Sequence, residues 1–155
     1  MSYIALLLAL SAAEKIPNFS LPDTAGHVVS LKQFEGKVIM LDFWATWCGP
    51  CKTEMPGYEA LYRKYKSRGL VVVGIALDAD PVKVRKFAKK YGITYPLLIN
   101  GMNVSSYGVL GIPTTILADR KGVVRKKVVG FEETKVFETI VEELFPKLAL
   151  KAESP

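Results

Sequence analysis

The chain has 155 residues, of which 50% are hydrophobic, 23% charged and 10% aromatic. That length suits one domain with a sizeable core, and the composition excludes a disordered, collagenous or disulfide-stapled chain. No apolar run reaches the roughly 18 residues that a membrane span needs, which excludes a polytopic membrane protein. The net charge of +6 slightly favours anionic partners.

The N-terminus carries an apolar run, YIALLLAL, at residues 3–10, followed by Ser-Ala-Ala. This pattern fits a clipped secretory signal or membrane anchor, although no basic residue precedes the run. It also fits an ordinary amphipathic helix. We expect residues 1–15 to form this separate segment, residues 16–148 the main domain and residues 149–155 a tail. The sequence favours an extracytoplasmic or periplasmic protein, with a cytoplasmic location as the alternative.

The first half of the domain alternates strands with a helix. Residues 16–36 mix short apolar runs with Pro, Asp and Gly, which predicts two short strands around a turn at Asp23–Gly26. The continuous apolar runs at 38–44 and 70–77 are typical of parallel strands that are buried on both faces. Between them, apolar residues at helical spacing predict a helix over 48–67.

The second half adds a helix, a short strand and a hairpin. The pattern predicts a helix over 81–91 and a strand at 95–99. Two strands at 114–118 and 123–129 are joined by Asp-Arg-Lys-Gly, a hairpin signature, and a last helix is predicted over 132–144. Because parallel strands need crossover helices and the hairpin adds an antiparallel edge, we expect an α/β fold with a mixed β-sheet flanked by helices.

Cys48 and Cys51 are the only cysteines. A bridge that closes so short a loop removes little chain entropy, so it is poorly suited to a stabilising role. A structural zinc site needs four ligands, and the chain has a single histidine, His27. A dimer that pools four thiolates stays possible, but nothing in the sequence requires it. We therefore interpret the pair as a redox-active disulfide that works without a further cofactor or metal.

The two sulfurs are expected to differ in their surroundings. Cys48 falls where a helix begins, and there the unpaired N–H groups and the helix dipole favour a thiolate over a thiol. Cys51 lies one turn further, on the apolar stripe of that helix. We expect an exposed Cys48 and a buried Cys51, which makes one attacking and one resolving sulfur.

The motif W-C-G-P-C-K, after a strand that ends in D-F-W, resembles the thioredoxin superfamily. Pro56 stands where thioredoxins have a helix-kinking proline, and G-I-P-T at 111–114 resembles the loop that bears the family's cis-proline. The front extension P-N-F-S-L-P-D and the additional helix and strand at 81–99 are similar to the TlpA/ResA-like branch, which comprises extracytoplasmic thiol–disulfide oxidoreductases. The resemblance implies a three-layer thioredoxin-like fold with an N-terminal β-hairpin extension and a helix–strand insertion.

The resemblance also implies residue roles. Cys48 would be the nucleophile that forms a mixed disulfide, and Cys51 the resolving thiol. An extended client segment would pair with the backbone of the cis-proline loop, as in strand addition. The residues of the client-binding surface would be Trp47, Gly49, Pro50, Ile112 and Pro113.

Asp42 lies inside the apolar strand VIMLDFW, where burial of a carboxylate is costly and raises its pKa. Its position, six residues before Cys48, is where thioredoxins keep a buried Asp that shuttles the proton of the resolving cysteine. The alternative is a strand acid that faces solvent at a sheet edge. We favour the functional interpretation because perturbed carboxylates cluster at active sites.

Glu54 matches an active-site Glu of the ResA-like branch, and an ordinary acid stabilised by the helix dipole is an equal alternative. ResA-like relatives often lack the Asp, so the presence of both acids is unusual. If both are buried, Asp42 and Glu54 would titrate as a system coupled to the thiols.

The predicted function is reduction of protein disulfides, because Gly49-Pro50 and Ile112 before the cis-proline match reducing thioredoxins. Expected partners are disulfide-bearing client proteins, with apocytochrome c as a candidate, and a membrane or soluble thiol reductant as electron donor. Thr114, however, stands where the cytochrome-maturation subgroup usually has Glu. No phosphate-cradling Gly motif and no basic–aromatic interleaving is present, so we expect no nucleic-acid partner.

Three other functions remain as alternatives. A peroxidase would fit the N-terminal extension, but it needs a P-x-x-x-T-x-x-C frame, and Thr46 precedes Cys48 by only two positions with no Pro at the required place. A disulfide donor or isomerase is expected if the reduction potential of the Cys48–Cys51 pair is high, that is, more oxidising than that of thioredoxin. A non-catalytic docking module would use the surface around Trp47 and Pro113, but the intact C-G-P-C motif argues against it.

Overall fold

A computed structural model of the chain describes residues 12–147. Most of the predicted N-terminal segment, residues 1–11, and the predicted tail, residues 149–155, therefore lie outside the described residues. Within residues 12–147, no helix is long and apolar enough to cross a membrane.

The described chain opens with the predicted hairpin. Strands β1 (Ser20–Pro22) and β2 (Val28–Ser30) pair antiparallel. The side chain of Asp23 closes the turn, because one of its carboxylate oxygens accepts hydrogen bonds from the backbone N–H groups of Ala25 and His27 at 2.8 and 3.0 Å. An Asp at the start of a turn commonly makes such bonds, which is why the turn was predictable.

A mixed sheet of five strands forms the centre of the described fold. Its strands are β3 (Val38–Trp44), β4 (Leu70–Ala76), β5 (Leu97–Ile99), β6 (Thr114–Ala118) and β7 (Val124–Val129). They lie in the order β5-β4-β3-β6-β7, with β3, β4 and β5 parallel and β6 antiparallel to both of its neighbours. The predicted mixed sheet is thus confirmed, and β3 is its central strand.

The α-helices that the structure describes in residues 12–147 are α1 (Gly49–Tyr65), α2 (Pro81–Tyr91) and α3 (Thr134–Leu144). Helix α2 begins where Asp80 accepts a hydrogen bond from the N–H of Val82 at 2.8 Å, and it ends at Gly92 in the left-handed conformation. Helix α3 begins two residues later than predicted, because the backbone is still extended at Glu133 (φ −71°, ψ 142°).

The side chains of β3 alternate between two buried clusters, one on each face of the sheet. Inward-facing residues of all three helices join the first cluster, which we call the helix-side core. The second cluster is covered by the N-terminal hairpin and short single-turn helices. The helix-side core takes Val38, Met40 and Trp44, and the opposite core takes Ile39, Leu41 and Phe43.

Gly74 in β4 gives a test of how tightly the helix-side core is packed. A Cβ atom at this position would stand 2.6 Å from Cδ2 of Leu97 and 2.9 Å from Nε1 of Trp44. Because both side chains are packed in the core, we expect Gly74→Ala to lower the free energy of unfolding by about 1–3 kcal/mol. Urea unfolding followed by circular dichroism measures the change.

Gly111→Ala is the matched control, since no atom lies within 4 Å of a Cβ at that position. An equal loss of stability in the two variants would contradict the steric explanation.

Candidate active site

The loop between β3 and α1 is held in place by Asp78. Strands β3 and β4 are parallel with Trp44 opposite Ala76, so Thr46 and Asp78 follow at the same edge of the sheet. The Asp78 carboxylate accepts hydrogen bonds from the backbone N–H and the hydroxyl of Thr46, at 2.8 and 2.5 Å. The sequence analysis missed Asp78, although an acid directly after a buried strand was an available signal.

Cys48 and Cys51 form a disulfide with an S–S distance of 2.06 Å. Cys48 is the N-cap residue of α1, and its Sγ accepts a hydrogen bond from the backbone N–H of Cys51 at 3.3 Å. An N–H group in the first turn has no partner within the helix, so it is free to stabilise negative charge on this sulfur when the disulfide opens. The predicted placement of Cys48 at the start of a helix is therefore confirmed.

The predicted exposure of Cys48 is wrong. Its side chain is only 6% exposed and that of Cys51 only 1%, because both belong to the helix-side core. Cys48 as a whole therefore offers little surface to a disulfide partner.

The residues predicted to bind a client lie at one edge of the sheet, on the loop and first turn that begin α1 and on the loop before β6. Trp47, Gly49 and Pro50 are exposed beside the disulfide. Strand β6 begins at Thr114, opposite Phe43 near the end of β3, so the preceding loop reaches the same edge as the cysteines.

The predicted cis bond between Ile112 and Pro113 is present. Pro113 is buried and Ile112 half-buried. The Pro113 carbonyl accepts a hydrogen bond from the N–H of Gly130 at 2.8 Å, whereas the N–H and C=O groups of Ile112 have no backbone partner among the described residues.

Asp42 is fully enclosed in the structure. It is 1% exposed on the central strand, which excludes the alternative of an acid that faces solvent at a sheet edge. The alternation along β3 places its side chain on the same face as Met40 and Trp44, toward the helix-side core. Neither carboxylate oxygen has a hydrogen-bond partner in residues 12–147. Burial first, and the nearby charge of Glu54 second, hold the pKa of Asp42 well above its usual range.

Glu54 on α1 is also buried, with 2% exposure. Its Oε1 accepts a hydrogen bond from the backbone N–H of Glu132 at 2.7 Å, and its Oε2 has no partner in the described part of the chain. Burial raises the pKa of Glu54 despite that hydrogen bond. The side chain is therefore not an ordinary surface acid in the first turns of a helix.

Tyr58 and Thr115 add a feature that the sequence analysis missed. The Tyr58 ring is buried in the core and packs edge-on against Phe137 with a centroid distance of 5.1 Å. Its hydroxyl forms a buried hydrogen bond of 3.0 Å with the hydroxyl of Thr115. Burial, together with the charge of Asp42, raises the pKa of Tyr58, so this hydroxyl keeps its proton.

Among the described residues, no group of three or more His, Cys, Asp and Glu side chains is placed to hold a metal ion. The two sulfurs are the groups in this site that can change their oxidation state.

Comparison with known proteins gives consistent matches over most of the chain. The model of the AhpC/TSA family matches residues 12–127. The thiol-disulfide oxidoreductase ResA of Bacillus thuringiensis subsp. konkukian is 34% identical over 139 residues, which cover 88% of this chain and 80% of that protein. ResA of Halalkalibacterium halodurans is 36% identical over 138 residues, covering 88% and 78%.

Solved structures share the fold. The crystal structure of a candidate thiol:disulfide interchange protein DsbE from Chlorobium tepidum matches with a TM-score of 0.79 and 36% identity, covering 88% of this chain and 99% of that one. A thioredoxin family thiol:disulfide interchange protein from Chlorobium tepidum TLS matches with the same TM-score of 0.79 and 29% identity, covering 86% and 97%.

The raised pKa of Asp42 predicts how stability depends on pH. The folded state binds the carboxyl proton more tightly than the unfolded state, so this group favours folding fully below its unfolded pKa of about 3.9. That contribution is lost as pH rises through the raised pKa of the folded state. We expect Asp42→Asn, which does not titrate, to gain stability relative to the wild type as pH rises. Urea unfolding of the oxidised proteins at several pH values measures this.

Asp119 is the control with the opposite sign. Partial burial opposes the shift, but hydrogen bonds from Arg125, Val123 and Lys121 lower its pKa overall. Asp119→Asn should therefore lose stability relative to the wild type as pH rises from the lowered folded pKa to the unfolded pKa of about 3.9, and the full loss should be present above it. A stability difference for Asp42→Asn that does not change with pH would contradict the assignment.

Proposed function

The chain belongs to the AhpC/TSA family and is a thioredoxin-like thiol–disulfide oxidoreductase, and on that premise we propose that it reduces disulfides in client proteins. The observation that carries the proposal is the Cys48–Cys51 disulfide at the start of α1, with the Cys51 N–H directed at the Cys48 sulfur. This arrangement favours Cys48 as the attacking thiolate in the reduced protein.

The reaction proceeds by two exchanges. The Cys48 thiolate attacks a client disulfide, so a bond forms between Cys48 and one client sulfur while the other leaves as a thiolate and takes up a proton. Cys51 then loses its proton and attacks the Cys48 sulfur, which forms the intramolecular disulfide and releases the second client thiolate. The client gains two electrons and the cysteine pair loses two. A thiol reductant restores the dithiol by the reverse exchanges.

Asp42 is the proposed base for Cys51. Both side chains point into the layer between β3 and α1, and the pKa of the carboxyl is raised toward the range in which a proton is readily exchanged with a thiol. Glu54 is proposed to take part in the same proton transfers, because its buried carboxyl also has a raised pKa and lies on α1 one turn after Cys51.

The docking surface is proposed to combine the cis-proline loop with exposed apolar side chains. The backbone groups of Ile112 lack described backbone partners, so they can pair with an extended client strand. Trp47 is 59% exposed beside the disulfide, and Leu110 and Phe131, on the segments that flank Pro113 and its partner Gly130, are 99% and 53% exposed. Gly49 and Pro50 complete the surface next to Cys48.

We propose an extracytoplasmic or periplasmic location, supported by the apolar run at residues 3–10 and by similarity to ResA. On this proposal residues 1–15 act as a leader or anchor of the domain at 16–148. Apocytochrome c is a candidate client, and a membrane or soluble thiol reductant is the donor. Thr114, where the cytochrome-maturation subgroup usually has Glu, leaves room for other clients.

The direction of the reaction is predicted from the Gly49-Pro50 dipeptide, which matches reducing thioredoxins. We expect a reduction potential near the thioredoxin value of about −270 mV. Equilibration with thiol/disulfide buffers, followed by alkylation of free thiols, measures it. A value near about −120 mV would instead make the protein a disulfide donor.

Substitution of each cysteine separates the two exchanges. Cys48→Ser should abolish the acceleration that the protein gives to insulin reduction by dithiothreitol and leave only the uncatalysed rate, because the attacking sulfur is lost. Cys51→Ser should retain the first exchange and accumulate a mixed disulfide with insulin, visible on non-reducing gels.

Hydrogen peroxide consumption by the reduced wild-type protein is the control for the peroxidase alternative, and we expect none above background. The Thr46 hydroxyl donates to Asp78 and is thereby occupied. Insulin reduction by Cys48→Ser that stays faster than the rate with dithiothreitol alone would contradict the proposed function.

A further inference from the structure

We propose that the hydroxyls of Tyr58 and Thr115 form a relay that passes a proton between the buried carboxyls of Asp42 and Glu54. The inference rests on the proposed role of Asp42 as the base for Cys51. It addresses a problem that this role creates: burial raises the pKa of Asp42, and the carboxyl must lose the proton that it then holds more tightly before it can accept the one from Cys51.

The sheet places one hydroxyl beside Asp42. Asp42 on β3 and Thr115 on β6 are direct partners in the antiparallel register. Side chains of directly paired residues project from the same face, with Cβ atoms about 4.5–5.5 Å apart. Thr115 is buried, with 2% exposure. The Thr115 hydroxyl lies close enough to the Asp42 carboxyl to lower its pKa, against the larger effect of burial.

Helix α1 places the second hydroxyl beside Glu54. Glu54 and Tyr58 are four residues apart within α1, so their side chains are neighbours on one face. The 3.0 Å hydrogen bond between Tyr58 Oη and Thr115 Oγ1 then joins the helix to the sheet. Together the two hydroxyls connect the surroundings of Glu54 to those of Asp42.

The two ends of this path are carboxyl groups whose oxygens lack hydrogen-bond partners. Both oxygens of Asp42 and Oε2 of Glu54 are buried and have no hydrogen-bond partner within residues 12–147. Such atoms are rare in folded proteins and call for an explanation. The other Glu54 oxygen is bound to the N–H of Glu132, a half-buried residue just before α3, so Glu54 is the end of the path nearer to solvent.

The transfer conserves protons and leaves both hydroxyls neutral. Asp42 gives its proton to Thr115 Oγ1, the Thr115 proton moves to Tyr58 Oη, and the Tyr58 proton moves to Oε2 of Glu54. Asp42 ends as a carboxylate and Glu54 as a carboxylic acid, and the reverse sequence returns the proton. Because burial keeps Tyr58 protonated, its hydroxyl always has a proton to pass.

Other titratable groups surround the path without completing it. Tyr95 has a buried hydroxyl with no partner in the described chain, and Glu59 is bound to Thr94 and Arg63. The cysteines lie on the same side of the sheet as Asp42, at the start of α1. The Tyr58–Thr115 pair is the hydrogen-bonded hydroxyl pair that spans α1 and β6 among the described residues.

The test follows the reduced protein as it reacts with dithiobis(nitrobenzoate), a disulfide that releases a coloured thiolate. The first equivalent is released when Cys48 attacks and the second when Cys51 resolves the mixed disulfide. We expect Tyr58→Phe and Thr115→Val each to slow the second phase by about tenfold or more, and to leave the first unchanged. The double variant should be no slower than the slower single variant, because one break stops the relay.

Tyr65→Phe is the matched control, since it removes another tyrosine hydroxyl of α1, one that donates to Glu138 at 2.8 Å. A cooperative urea transition in every variant verifies that each is folded. A second phase in Tyr58→Phe and Thr115→Val that matches Tyr65→Phe would overturn the relay. So would equal slowing of both phases, which is what a purely structural defect produces.

Asp42→Asn separates this proposal from the one it rests on. A slow second phase in Asp42→Asn together with a normal one in the hydroxyl variants would overturn the relay alone. A normal second phase in Asp42→Asn would overturn the assignment of Asp42 as base and the relay with it. A second equivalent released by Cys51→Ser would overturn the proposed function itself.

Discussion

The burial of one carboxyl on the central strand is the constraint on which the site depends. Asp42 has strand neighbours on both sides and a helix above it, so its carboxylate cannot reach water. Charging it there is costly, which raises its pKa, and the proton exchange proposed between this carboxyl and Cys51 depends on that shift. The rest of β3 offsets the free-energy cost of burying this carboxyl. All seven residues of the strand are buried, and backbone hydrogen bonds join it to β4 on one side and β6 on the other.

The second requirement is the junction between β3 and α1. A strand that ends at the sheet edge and turns directly into a helix puts unpaired N–H groups next to Cys48. Asp78 fixes that turn from the neighbouring parallel strand, so the position of the sulfur depends on the register of β3 with β4. Glu54 and Tyr58 are buried residues further along the same helix, so α1 joins the disulfide at its N-terminus to the buried acids.

The edge of the sheet also unites parts of the chain that are distant in sequence. The cysteine loop follows β3, and the loop with the cis-proline precedes β6, the antiparallel partner of β3. An antiparallel neighbour begins where its partner ends, so the two loops meet without any further element. This geometry places the Cys48–Cys51 disulfide and the cis-proline loop at one edge of the sheet, as the proposed docking surface requires.

Much of this site could be predicted from the sequence. The C-G-P-C motif, its place between a buried strand and a helix, the proline loop and the burial of Asp42 are local patterns, and local patterns follow from hydrophobic periodicity and turn residues. That the sheet is mixed followed from the rules for parallel and antiparallel connections, whereas the spatial order of its strands came from the structure. Glu54 stood between two interpretations, because whether an early-helix acid is buried depends on what packs against it.

The amino-acid sequence by itself determined the fold class, the redox pair and the two candidate acids, since each depends on residue type and spacing within a short segment. Only the tertiary structure decided that Cys48 is almost covered, that Asp78 holds the loop and that Tyr58 meets Thr115. The last two depend on contacts between residues 32 and 57 positions apart in the chain. Such contacts are set by strand register and by the packing of a helix on the sheet, which no local pattern contains.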